Sequence, residues 1–480
     1  MPARFTHLSP SAVRSALAAS FQQLREELEL PESFPPDAVA EAEAVVAAGE
    51  AVDGSDADRV DLRGLEFHTI DPEGSRDLDQ ALSITRDGSG FVVHYAIADL
   101  AAFIRPGGAL DAETRRRGQT LYAPDGSVAL HPEVLSHGAA SLLAEQDRRA
   151  YVWRFALDAD GAQHEPAQPP VRAWVRSRRQ WTYVDAQAAV DAGTAPESIA
   201  LLSEVGPALI AQEAARGGAS LNSPEEEIVQ TDDGGYDLRA RVTLPIEDWN
   251  AQISLMTGMA AAAIMVARGA GVLRTLPAAD AERIAEFRRR VELIGRPWPE
   301  GLPYGEYLRR VDHMDPAAPA IMQAASGLFR GADYVAFDVA GGVPVPEEPE
   351  QAAIAAVYAH ATAPLRRLVD RFVLAMCTDA PAWAREALPS LAEAMRRSGS
   401  LSSRLEGGAV DRVEAAVLAA HVGEEFDAAV VSAHKGGSRI QLADPFVTAT
   451  IGETREPGSA IRVRLTGVDI AKGEVTFAAV

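Results

Sequence analysis

The chain has 480 residues, 47% hydrophobic and 24% charged, and its 69 acidic against 45 basic residues leave a formal net charge of -24. That length exceeds one ordinary core and suggests about three domains, and the composition is that of a folded chain rather than a disordered one. The acidic balance argues against a generic nucleic-acid binder, because neutralising phosphates takes Lys and Arg facing the ligand.

From the N-terminus, "MPARFTHLSP" carries no apolar run after Arg4, so no export signal is expected. Ser9 followed by Pro10 reads as a helix cap, and Val13, Leu17, Phe21, Leu24 and Leu28 recur at helical spacing. "PESFPP" (31–36) breaks that helix, and a second, alanine-rich one runs to about Gly49. From Val60 to about Asp160 the pattern alternates, with Asp-Gly turns at 87–88, 125–126 and 160–161, which predicts antiparallel strands. Residues 185–420 read mostly as helices, with a hairpin signal at "TDDGGYD" and a buried helix over Leu255–Ala267, whose apolar run falls short of the roughly 18 residues of a membrane span. The last sixty residues return to short strands that fit a small OB-type barrel. Cys377 is the single cysteine, so no intrachain disulfide can form and a reducing cytosol is the expected setting.

Basic residues are bunched at Arg115–Arg117, 171–181, 287–290 and 364–371. Such runs are ordinarily solvated faces, but together they could line one groove in an acidic body.

The stretch "TIDPEGSRDLDQA" (69–81) crowds Asp71, Glu73, Asp77 and Asp79 into one turn. Two carboxylates about 4 Å apart repel by roughly 4 kcal/mol at an effective dielectric of about 20, so a converging set needs a cation or a proton. Oxygen-only ligands favour Mg2+ or Mn2+ over zinc. An EF-hand is excluded, because counting from Asp71 puts Arg76 and Leu82 where that loop wants Gly and Glu. A solvated acidic loop is the plain alternative. Against it, Ile70, Leu78, Ala81, Leu82 and Ile84 flank the acids and place them near a core.

These residues resemble the signature of the ribonuclease II and RNase R exoribonucleases, T-I-D followed by D-x-D-D-A. The likeness continues through "VHYAIADLAAFIRPGGALDAETRRRGQTLYAPDGSVALHPEVLS", "VRSRRQWTYVDA" and "YAHATAPLRRLVDRF". The resemblance implies an α+β chain: a short helical region (1–58, a helix-turn-helix module or, by default, a brace), an RNB-like catalytic domain (59–420) and an S1-type OB domain (421–480). It implies processive 3′ to 5′ hydrolysis of single-stranded RNA to nucleoside 5′-monophosphates with two Mg2+ (or Mn2+) ions, in RNA decay or processing, by a cytoplasmic monomer with no membrane attachment. Asp71, Asp77 and Asp79 match the first three aspartates of the family site, with Asp79 as the most critical. Arg366 matches the arginine that grips the scissile phosphate, and Tyr122 matches the tyrosine that stacks on a nucleotide near the 3′ end. Arg367, His360 and Thr362 fall in the same RNA-contacting motif, the last two as structural support. Asp99 is matched as an organiser of backbone or a basic neighbour.

Three departures carry weight. The fourth aspartate is Gln80, a doubtful metal ligand that implies a weaker ion, a preference shifted towards Mn2+, slower turnover or none. Ala363 and Leu368 replace a serine and a tyrosine, and "ARGAGVLRT" lacks a second base-clamping aromatic. The helical N-terminal region stands where the family has two cold-shock domains, and Phe426, Phe446 and Phe477 leave the C-terminal barrel poor in stacking surface. Two other functions stay open: an RNA-binding relative that does not cut, and a metal-dependent nuclease acting on DNA or small nucleotides.

Overall fold

A computed structural model describes residues 6–7, 11–219, 225–230, 236–241, 243–312, 315, 317–442, 445 and 447–480. The expected cap at Ser9 and Pro10 and the turn of "TDDGGYD" lie outside these residues; the flanking strands Glu225–Gln230 and Tyr236–Arg241 do pair antiparallel.

The first helix, Ser11–Glu27, and the second, Pro36–Ala48, lie where periodicity puts them, and Gly49 ends the second in a left-handed cap at φ 73°. The first helix packs its apolar stripe on the 37-residue helix Ala382–Leu418, burying Leu17, Phe21 and Leu24, and Leu28 just beyond its end, against Leu405, Ala409 and Val413. Each such side chain contributes about 1.5–3 kcal/mol by leaving water.

The largest sheet has six strands in the order Val60–Asp61, Val171–Thr182, Phe67–Asp71, Gln80–Asp87, Gly90–Ala98 and Asp147–Leu157. The Asp-Gly reading at 87–88 is a tight hairpin with Asp87 opposite Gly90. The expected antiparallel pairing holds from Phe67–Asp71 through Asp147–Leu157, and the parallel pairs come with the strand beyond Asp160. Val60–Asp61 and Phe67–Asp71 run parallel to Val171–Thr182, which also pairs back onto Asp147–Leu157 and bends the sheet round. Local alternation reports a strand but not its partner, so this topology is not visible in the pattern.

The 185–420 region is helical apart from that hairpin and two further strand pairs, chief among them Ala270–Thr275 with Asp333–Asp338. Leu255–Ala267, read as too short for a span, belongs to the 24-residue helix Pro245–Arg268, which is long and apolar enough to cross a membrane by length and composition. Ile253, Met256, Ala260, Ala261 and Met265 are buried in the largest core, which accounts for the apolarity.

The basic runs do not pool into one free groove, because most of their guanidinium groups meet carboxylates. Arg115 pairs with Asp111, Arg116 and Arg117 with Glu113, Arg176 with Asp147, and Arg290 with Glu286. Arg172 and the fully buried Arg59 converge on Asp99, whose other oxygen accepts from the Ala102 amide.

The C-terminal strands Glu425–His434, Gly437–Leu442, Thr448–Ile451, Ala460–Asp469 and Glu474–Ala479 close into a five-stranded barrel. Phe426 and Phe477 meet edge to face inside it, so neither offers a ring to solvent, and Phe446 lies outside the described residues.

Candidate active site

The strand Phe67–Asp71 carries Asp71 to the sheet's end, in parallel register with Thr182. The chain then turns through Pro72 and Gly74 before Gln80 opens the next strand. Leu78 is fully buried and anchors this loop: its amide donates to Ser141 Oγ and its carbonyl accepts from Leu142. Asp77 and Asp79 flank Leu78, near enough that the Asp77 charge acts on Asp79. Asp79 is 3% exposed, with Oδ1 accepting from the Leu365 amide at 2.7 Å and Oδ2 lying 3.6 Å from Arg366 Nε.

The turn 362–367 is thereby brought against the acidic loop from across the chain. Asp370, fully buried, accepts from the Ala363 amide at 2.7 Å and grips Arg367 with both oxygens at 2.9 and 3.0 Å. The adjacent arginines therefore part company. Arg367 turns inward to Asp370, while Arg366 keeps 44% of its side chain exposed beside Asp79. Gly118 helps hold this turn: its carbonyl accepts from Leu368, its φ is +77°, and a Cβ there would sit 2.6 Å from Ser398 Oγ. Thr120 donates to the Arg366 carbonyl from the same segment.

Gln80 donates its side-chain amide to the Thr362 carbonyl, which ties the acidic motif to this turn. An aspartate could not donate that bond, which leaves Gln80 Oε1, the one atom of the side chain able to ligate a cation, unused. Thr362 is buried, and His360 Nδ1 pairs with Tyr334 Oη at 2.6 Å, as befits support. Tyr122 is 45% exposed, with its hydroxyl 3.4 Å from Asp77 Oδ2.

Sequence reasoning gave no role to Tyr183 or Asn250. Tyr183 follows Thr182 and is therefore set beside Asp71 by the parallel pairing; it is hydrogen-bonded to Asn250, and burial and the Asp71 charge raise its pKa. The "TY" pair beyond a basic strand was the available signal. No aromatic stands in 267–275 itself, and Tyr334 on the partner strand is buried with Arg274 lying 4.6 Å over its ring, so it presents no open face to a base.

Electrostatically the acids want a counter-charge. Asp71 is pushed up to about 7 from its ordinary 3.8, by burial first and then by Asp77, with Arg366 opposing. Asp79 is raised well above the carboxylate range by burial, despite Arg366 and the Leu365 amide. Asp71 Oδ2 is buried with no hydrogen-bond partner. Among the described residues no three His, Cys, Asp or Glu side chains close into a metal cage by themselves. The oxygen-only donors, the orphaned Oδ2 and the mutual repulsion nonetheless suit a hard divalent cation that keeps open positions. Asp71, Asp77 and Asp79 are the residues that would hold it.

A stability prediction follows from the sign of the Asp71 shift. With metal chelated, the folded protein keeps a proton that the unfolded chain has released, so stability falls as pH rises from about 4 to about 7. The slope for this one proton approaches ~1.4 kcal/mol per pH unit. His68, His94, His131 and His360, held neutral by burial, pull the whole curve the other way, so the difference between variants is what tests this shift. In urea melts with EDTA the stability of Asp71→Asn relative to the parent should grow as pH rises from about 4 to about 7; a difference that stays constant through this window would contradict the buried-acid geometry.

A family model for the RNB domain matches residues 59–380, and one for the RNase II-type exonuclease C-terminal S1 domain matches 424–480. The chain belongs to the RNB-domain family. Among relatives, the probable exosome complex exonuclease RRP44 of Caenorhabditis elegans is 28% identical over 335 residues, covering 66% of this chain and 34% of that protein. Ribonuclease R of Escherichia coli strain K12 is 39% identical over 113 residues, 23% of this chain and 14% of that protein. The chain thus matches 34% and 14% of the length of these two curated relatives. Among solved structures, Mycoplasma genitalium RNase R in complex with ribose-methylated single-stranded RNA superposes with a TM-score of 0.85 at 16% identity, covering 97% of this chain and 78% of that one. Yeast Ssd1, a pseudonuclease, superposes with a TM-score of 0.60 at 16% identity, covering 96% and 52%. The RNB domain here therefore carries the acidic loop and Arg366, and the S1 domain is the closed C-terminal barrel.

Proposed function

We propose that this chain is a metal-dependent exoribonuclease that shortens single-stranded RNA from its 3′ end and releases nucleoside 5′-monophosphates. The observation that carries the reading is the pairing of a buried, repelling acidic cluster, Asp71, Asp77 and Asp79, with the exposed guanidinium of Arg366 beside Asp79. Bound divalent ions would supply an activated water and stabilise charge on the departing 3′ oxygen. Arg366 stands where its planar fork can take a phosphate oxygen pair from the solvent side while Asp79 orients it from below. Tyr122 offers an exposed ring for base stacking, worth roughly 1–3 kcal/mol per base and indifferent to sequence.

Arg366→Ala should lower kcat by about 10²- to 10³-fold, the cost of losing one aimed charge in the transition state. RNA affinity should change much less, because many contacts share it. Single-turnover cleavage and anisotropy titrations separate the two; equal losses in both would reduce Arg366 to a binding residue.

A second reading, an RNA-binding relative that does not cut, is favoured by Gln80, which lacks an aspartate's charge and is tied to Thr362. The fold does not choose between them, since RNase R and a pseudonuclease both superpose. Purified protein with 5′-labelled single-stranded RNA in Mg2+, Mn2+ or EDTA decides. Metal-dependent 5′-monophosphates establish the exonuclease, whereas intact but bound RNA in every condition establishes the second reading. A matched DNA oligomer tests the choice of sugar.

A further inference from the structure

We infer that the N-terminal helix Ser11–Glu27 sets the position of the Tyr122 hairpin, with Arg25 as the positioning residue. The use of Tyr122 by RNA rests on the function proposed above; the placement of the hairpin does not.

The hairpin pairs Leu121–Ala123 with Gly126–Val128, only three residues a side. So short a ribbon is not stable alone, and its place is decided by what packs on it. Alternation along the strand sends Leu121 inward, 3% exposed, and Tyr122 outward, 45% exposed. Leu121 and Val128 join one core with Leu17, Phe21 and Leu24 of the first helix and Leu405, Ala409 and Val413 of the long helix. The long helix is the main floor of the hairpin, the first helix closes that floor from the side, and Tyr122 projects from the opposite face towards Asp77.

Arg25, in the helix's last turn, reaches the hairpin's tip. Its Nη2 donates to Asp125 Oδ1 at 2.6 Å, in the turn, and to the carbonyl of Gly126, the first residue of the returning strand, at 3.4 Å. Its Nε is buried without a hydrogen-bond partner, so the contact to the hairpin rests on Nη2. The helix is itself fastened: Arg412 of the long helix donates to the Ser20 carbonyl at 3.1 Å and to Glu27 at 3.3 Å. A tilt of the helix would therefore move the ring that faces the acidic loop.

The test combines hydrogen exchange with RNA binding in EDTA, using full-length protein. Arg25→Ala should speed exchange at residues 121–128 and raise the Kd for a single-stranded RNA oligomer about 3- to 10-fold, a fraction of one stacking contact. Arg25→Lys, which keeps the charge, should recover most of both. The double variant Arg25→Ala/Tyr122→Ala should bind no more weakly than Tyr122→Ala, because both changes act on one contact. Asp125→Ala leaves the helix untouched and should reproduce the Arg25→Ala result. Unchanged exchange at 121–128 in both single variants, or additive losses in the double variant, overturns the inference. Faster hairpin exchange in a protein that neither binds nor cuts RNA would uphold the positioning and sink the exonuclease reading instead.

Discussion

Asp79→Asn should lower RNA cleavage by at least about 10²- to 10³-fold while leaving the protein as stable as the parent or more so. The amide keeps an oxygen to accept from the Leu365 backbone at the same site, so the 362–367 turn retains its contact. What it removes is a charge in a position 3% exposed, where burial already raises the acid well above its usual range. Taking away that penalty favours the metal-free fold. RNA affinity should hold or tighten, since one negative charge leaves the phosphate path. Quantifying released monophosphate beside urea midpoints reads both effects. A stable variant that still cleaves within tenfold of the parent would remove Asp79 from the chemistry, and a strongly destabilised one would show that the carboxylate is structural.

Asp370→Ala should cost about 3–5 kcal/mol of stability, the usual consequence of stranding one member of a buried ion pair. Asp370 is fully buried and satisfies both Arg367 and the Ala363 amide, so its loss leaves a cation and a donor unpaired in the turn that presents Arg366. Cleavage should fall as well, through the geometry of that turn. Combining it with Arg367→Leu should recover part of the stability, because the stranded charge is gone. Denaturant midpoints check this; a loss below about 1 kcal/mol would mean that water enters the site and solvates Arg367 freely.

How much of this was legible beforehand differs from residue to residue. The first helix, the Asp-Gly turns and the C-terminal strands follow from apolar spacing and turn chemistry, which are local properties. The acidic cluster was legible too, because apolar neighbours on both sides of the acids announce burial. Arg366 and Arg367 were not separable by pattern, since both are arginines at one turn; Asp370, three residues on, claims the second and leaves the first to Asp79. The basic runs read as a groove because sequence counts charges without their partners, and the fold supplies Asp99, Asp111, Glu113 and Asp147 as those partners.

By itself the sequence determined the family, through ordered blocks spread over the chain, and it determined which elements form and which acids would crowd together. Only the tertiary structure decided that Gln80 donates to Thr362, that Tyr183 stands beside Asp71, and that Arg25 of the N-terminal helix reaches the tip of the Tyr122 hairpin. The reason is one of range. Periodicity and turn propensity are set within a few residues, whereas a side chain's partner and exposure are set by strand pairing and helix packing between segments far apart in the chain, which leave no local mark on either segment.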